Sequence, residues 1–158
     1  MKRHFFYGLL LLLNFSLIST TCSSDDDGNP NNNTAEIQQI SSDIESGTWR
    51  ITSYIDSGQD ETSDYNGYNF TFASSGTLTA DNGTNSVTGT WSITDSSSSS
   101  SSSDDDIDFN IFFNVPNTSV FEDLNDDWDI STHTSVRIAL IDISGGNGGT
   151  DSLTFEKN

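Results

Sequence analysis

The chain has 158 residues, a formal charge of −19 at neutral pH and a single cysteine, Cys22. So many carboxylates repel phosphate backbones and anionic lipid heads, which argues against nucleic acid as a partner and leaves divalent cations and basic surfaces as natural counterparts. One thiol permits no disulfide within the chain, and the length provides for one modest domain held by its own core.

The amino-terminal segment has the order of a secretory signal. Lys2 and Arg3 precede an apolar run from Phe5 to Leu13, which Phe15, Leu17 and Ile18 continue. The run is too short, and wrongly flanked, for a spanning helix. Ser19-Thr20-Thr21-Cys22 resembles the lipobox of bacterial lipoproteins, with Ser19 and Thr21 departing from its preferred Leu and Gly or Ala. The resemblance implies cleavage after residue 21 and lipid attachment at Cys22, anchoring the protein to a membrane through acyl chains that each contribute about 0.8 kcal/mol per buried methylene. Ser23-Ser24-Asp25-Asp26-Asp27 resembles an acidic export tag of Gram-negative surface lipoproteins, which implies an outer-membrane, cell-surface location. Processing removes Lys2 and Arg3 and leaves Arg50, Arg137 and Lys157 against 24 acidic residues.

Residues 22–34 carry no apolar side chain after the cysteine and read as a disordered acidic tether, roughly 20 Å in mean span. Over 35–46, Ile37, Ile40 and Ile44 recur at helical spacing with Gly47 just beyond, which predicts a short amphipathic helix. From Gly47 the period becomes two. Trp49, Ile51, Ser53 and Ile55 form one face of a first strand. Tyr68, Phe70 and Phe72 follow, then Leu78 and Ala80, then Val87, Gly89, Trp91 and Ile93. Ile107 to Phe113, Trp128 with Ile130, Val136 to Leu140, and Leu153 with Phe155 complete eight predicted strands. Eight serines, Ser96–Ser103, and three aspartates interrupt the series as a polar loop.

The predicted class is all-β, an antiparallel up-and-down eight-stranded barrel with a short N-terminal helix, the alternative being a β-sandwich. Short connections and the parity of Lys157 with Leu153 and Phe155 favour the barrel. At Gly47-Thr48-Trp49 the chain resembles the opening Gly-x-Trp of the lipocalins and their small bacterial lipocalin-like relatives. Gly89-Thr90-Trp91-Ser92, Asn125-Asp126-Asp127-Trp128-Asp129 and the glycine-rich run from Ser144 to Asp151 add to the similarity over 35–158. It implies that a basic residue of the last strand, here Lys157, packs across Trp49. The chain is shorter than full lipocalins, and a barrel this small can be filled by its own side chains.

Phe70, Phe72, Trp91, Phe109, Phe113 and Trp128 are the candidate lining of the barrel, serving either an apolar ligand or simply the core. Asp123, Asn125, Asp127 and Asp129 alternate oxygen ligands as a calcium loop does, but Trp128 occupies the glycine position and Thr134 the place of the bidentate Glu. The four glycines among Gly145–Gly149 partly match a calcium-binding nonapeptide in a single copy, and a hairpin turn needing positive φ explains them better. His133 is the only histidine after residue 21, and no nucleophile elbow or two-histidine metal motif accompanies it. The reading is therefore non-enzymatic, with no cofactor. It is a surface lipoprotein whose barrel binds a small apolar ligand, or alternatively a structural or adhesive lipoprotein with a solid barrel acting through its loops.

Overall fold

Helix α1 (Asn32–Ile44) opens the domain in a computed structural model that describes residues 32–95, 107–143 and 149–158. The signal segment, Cys22, the acidic run Asp25–Asp27, most of the tether, the serine tract and residues 144–148 lie outside those residues. The helix starts three residues before its expected first turn, so the end of the tether is helical. Asn33 is buried, lying one turn before Ile37 on the face that continues through Ile40 and Ile44. A polar residue carries that face here, so the apolar period could not reveal it. Ile40 and Ile44 are fully buried, and Gly47 ends the segment at φ 87°. That left-handed conformation carries no steric penalty for glycine alone.

Nine strands follow: β1 (Trp49–Asp56), β2 (Gln59–Asp60), β3 (Asn69–Phe72), β4 (Thr77–Asp81), β5 (Ser86–Asp95), β6 (Ile107–Phe113), β7 (Asp126–Thr134), β8 (Arg137–Asp142) and β9 (Asp151–Lys157). All pairings are antiparallel between sequence neighbours around the ring, and β9 returns to β1, which closes an eight-stranded barrel. The extra strand, β2, pairs only with the end of β1 and stays outside the ring. Two polar residues cannot show an apolar period, which is why the sequence pattern does not contain it.

Most strands keep the predicted parity, with alternate residues buried in β3, β4, β6 and β8. The first strand departs from it. The register between β1 and β9 slips between Ile51 and Ser53, and the extra residue turns the following side chains over. Tyr54 is consequently buried, while Ser53 and Ile55, expected on the core face, are only half-buried. Val136, expected to open the seventh predicted strand, lies in the turn before β8 and is exposed. In β5, a Cβ on Gly89 would lie 2.4 Å from the Phe112 carbonyl oxygen and 2.7 Å from the Phe113 ring. Only glycine allows β6 to approach this closely.

The two ends of the barrel are closed differently. At the end where β1 begins, α1 supplies Ile40 and Ile44 to the core. At the opposite end, segments 57–68 and 114–125 fold inward through two short 3-10 turns, Thr62–Tyr65 and Glu122–Leu124, and bury Tyr65, Phe121 and Leu124.

Closure of the ring rests on Trp49 and Lys157, which face each other across β1 and β9. The Trp49 indole N–H donates to the Ile44 carbonyl at 2.8 Å. The Lys157 ammonium stands 4.9 Å from the centre of the Trp49 ring and donates to the Asp43 carbonyl at 3.3 Å. The two side chains thus bind carbonyls of the last helical turn, which have no partner within a helix, and a cation favours that end of the helix dipole. Trp49→Ala is expected to cost about 3–5 kcal/mol, a large share of the roughly 5–15 kcal/mol available to such a domain. Lys157→Ala is expected to cost less, and the double variant to lose less than the sum of the two. Urea unfolding of the three variants measures this coupling, and strict additivity would contradict the contact.

Candidate functional site

All six residues predicted to line the barrel are buried in its interior. Phe70, Phe72, Phe109, Phe113 and Trp128 are no more than 1 % exposed, and Trp91 is 7 % exposed. Their rings pack on one another. Phe72 meets Trp91, Phe109 and Phe155 edge to face, with centroids 5.5, 5.7 and 5.5 Å away, and Trp91 stacks on Phe109 at 5.9 Å. Such pairs contribute about 0.5–1.5 kcal/mol each beyond area burial. The indole N–H groups are also committed. Trp91 donates to the Ala73 carbonyl at 2.9 Å and Trp128 to the Leu124 carbonyl at 3.1 Å.

A second aromatic group, which the sequence reading did not single out, fills the end opposite the helix. Phe121 contacts Tyr65, Tyr68, Phe70 and Phe113 at centroid distances from 5.0 to 6.5 Å. Tyr54 contacts Tyr65 at 5.5 Å and Trp128 at 6.4 Å. The Tyr65 hydroxyl donates to the Val120 carbonyl at 2.6 Å, and the Tyr54 hydroxyl to the Asp123 carbonyl at 2.8 Å. Burial, then nearby negative charge, pushes both phenols far above their ordinary range, so both remain protonated donors. Tyr65 and Phe121 belong to segments without periodicity. Their one sequence signal was a large aromatic side chain in an otherwise polar loop.

Carboxylates surround this end. Burial, and then Asp56, Asp123 and Asp64, raise the Glu61 carboxyl above its usual range, while burial, Glu122, Asp56 and Asp64 raise Asp123. Asp126 is pushed up to about 6 by burial, by its hydrogen bond with Asp127 and by the charges of Asp142 and Asp127. The run Asp123, Asn125, Asp127, Asp129 does not converge as a calcium loop. Asn125 uses its amide on β6, accepting from the Phe113 N–H and donating to the Phe113 carbonyl. Asp127 and Asp129 project outward from β7, and among the described residues no three His, Cys, Asp or Glu side chains are grouped to hold a metal ion. Asp151, at the end of the glycine-rich run, accepts the Ser57 N–H at 2.7 Å. His133 faces Glu36 of α1 at 3.1 Å and thereby ties β7 to the helix.

Lys157 over Trp49, the closed ring and the leading helix together define an antiparallel eight-stranded barrel with a lipocalin-like closure. No protein-family model matches the chain, and no curated protein matches it. A crystal structure of a duf4847 family protein from Bacteroides vulgatus ATCC 8482 is similar over 75% of this chain and 97% of its own, with 17% identity and a TM-score of 0.44.

The raised Asp126 carboxyl has a consequence for stability. Its folded value of about 6 exceeds the ordinary aspartate value of 3.8, so the folded state holds this proton more tightly than the unfolded state. The group is neutral in stability below about pH 4, and it becomes destabilising as pH rises through 4 to 6. Asp126→Asn retains an oxygen for the Asp127 N–H, which Asp126 accepts at 2.9 Å, and removes the charge. It is expected to stabilise the protein at pH 7.5 by about 0.5–1 kcal/mol, allowing for solvent screening, with the gain vanishing by pH 4. Thermal unfolding across this range checks both limits.

Proposed function

We propose that this protein is a non-enzymatic, surface-anchored lipoprotein. Cys22 holds it on the outer membrane, and a solid barrel presents its loops to partners. The observation that carries this reading is the filling of the barrel by its own aromatic side chains, with α1 at one end and Tyr65, Phe121 and Leu124 at the other. An interior packed in this way leaves the exterior as the surface for recognition. The chain enters through α1, whose Glu36 and Asp43 contact His133 and Lys157. The segments 57–65, 81–86 and 113–126 therefore belong to the far end, away from the anchor. Those loops carry Glu61, Asp64, Glu122 and Asp123, so a partner with a basic surface complements them. The alternative, a small apolar ligand among Phe70, Phe72, Trp91, Phe109, Phe113 and Trp128, requires these rings to separate.

The signal pattern and the lipobox-like segment support the anchor, and the acidic run after Cys22 supports outward export. Cys22→Ser is expected to abolish incorporation of a fatty-acid analogue and to release the protein into soluble fractions. Label persisting on the variant would sink the anchoring. Replacing Asp25, Asp26 and Asp27 by alanine is expected to leave the anchored protein on the periplasmic side, protected from protease added to intact cells. Unchanged digestion would reduce the run to a spacer. Native mass spectrometry of protein purified from its own host separates the solid barrel from the ligand-binding alternative. The mass of the mature chain with its Cys22 lipid and nothing more is expected, and a co-purifying non-covalent small molecule would overturn the solid reading.

A further inference from the structure

One seam of the barrel is held differently from the rest. The strands β5 and β6 pair continuously from Gly89↔Phe113 to Asp95↔Ile107, and β8 and β9 from Arg137↔Glu156 to Asp142↔Asp151. By contrast, β1 and β3 meet only at Trp49↔Phe70. Beyond that pair the free edge of β1 is occupied by the strap 57–68. Glu61 N–H donates to the Tyr54 carbonyl at 3.0 Å, and Tyr54 N–H donates to the Thr62 hydroxyl at 2.8 Å. The pairs Ile55↔Asp60 and Asp56↔Gln59 complete the attachment.

Tyr65 is the fully buried side chain of this strap, while Ser57 to Asp60, Ser63, Asp64, Asn66 and Gly67 are exposed. Left-handed residues flank it, Ser57 at φ 48° and Gly58 at φ 83° on one side and Gly67 at φ 85° on the other. A segment whose one fully buried anchor is Tyr65, with Tyr68 half-buried against Phe121 and most other residues exposed, opens at lower free energy than the ladders around it. The anchor is seated as a ligand would be. Its ring lies edge to face between Tyr54 at 5.5 Å and Phe121 at 6.0 Å, and its hydroxyl donates to the Val120 carbonyl at 2.6 Å.

We infer that Tyr65 is the resident occupant of a phenol-binding site, and that release of the 57–68 strap from the β1–β3 seam admits a small phenolic ligand in its place. The site reads an aromatic ring by its two edge-to-face neighbours and a hydroxyl by the Val120 carbonyl. Closed, it completes the solid barrel described above. The site exists whether or not Cys22 is lipidated and whether or not the far-end loops bind a partner.

The probe is p-cresol, the side chain of tyrosine as a free molecule. In the wild-type protein, added p-cresol speeds hydrogen exchange at the Glu61 and Tyr68 amides and leaves the β5–β6 ladder unchanged. Exchange at the strap that stays constant up to the solubility of p-cresol would overturn the inference. Tyr65→Ala removes the internal competitor and binds p-cresol more tightly than wild type. The ratio of the two dissociation constants equals the closing constant of the strap obtained from wild-type exchange, because the apparent affinity is lowered by the fraction of competent molecules. Tyr65→Phe keeps the ring, loses the Val120 hydrogen bond and falls between the two, which preserves the test should the alanine variant fail to fold. Toluene, lacking the hydroxyl, binds each variant more weakly than p-cresol. Equal affinities for toluene and p-cresol would overturn the phenol assignment.

Discussion

The contact between Lys157 and Trp49 joins the first strand, the last strand and the leading helix at one point. The indole and the ammonium each bind a carbonyl of the helix's last turn, at Ile44 and Asp43. Without that contact, α1 would lose the side chains bound to its last carbonyls and the barrel its buried side-chain link between β1 and β9. Asn158 extends the junction, donating its N–H to the Thr48 carbonyl at 2.9 Å and its amide to Asn69 at 2.7 Å. A chain without a disulfide must join its ends through packing and hydrogen bonds, and here the joint also covers one opening of the barrel.

Aromatic rings supply the largest side chains of an interior that they share with Ile and Leu residues. Phe72 is central to it, touching rings from β5, β6 and β9. Edge-to-face packing fills a narrow barrel with large flat groups and sets ring orientation more strictly than branched aliphatics would. At the far end Phe121 performs the same task for side chains from the strap, β3 and β6. The barrel is thus plugged by aromatic anchors on otherwise polar segments, which leaves these segments free to vary outside.

Electrostatics works against cohesion at the loop end and modestly for it at the helix end. Glu156 lies between Arg50 and Arg137, 4.0 and 3.8 Å away, across the outer face of β1, β9 and β8. Exposed pairs of this kind contribute about 0–1 kcal/mol. Burial first, and then repulsion by neighbouring carboxylates, raises both Asp123 and Asp126. Stability must therefore come from the core.

The sequence by itself determined the class, most of the strands and the identity of the core. Alternation in Phe70 and Phe72, in Ile107 to Phe113 and in Leu153 to Lys157 follows directly from the pleat, whose period of two is local. The six interior residues were legible for the same reason, and Lys157 over Trp49 followed from parity together with the Gly-x-Trp resemblance. Other features depended on contacts distant in the chain. The bulge between Ile51 and Ser53 arises from pairing with β9, and it alone turns Tyr54 inward. Tyr65 and Phe121 lie 56 residues apart in segments with no period, and they meet only because the barrel brings those loops over one opening. Local patterning reports which face a residue prefers. Which loops close over that face, and whether they leave room inside, is decided by the closed ring.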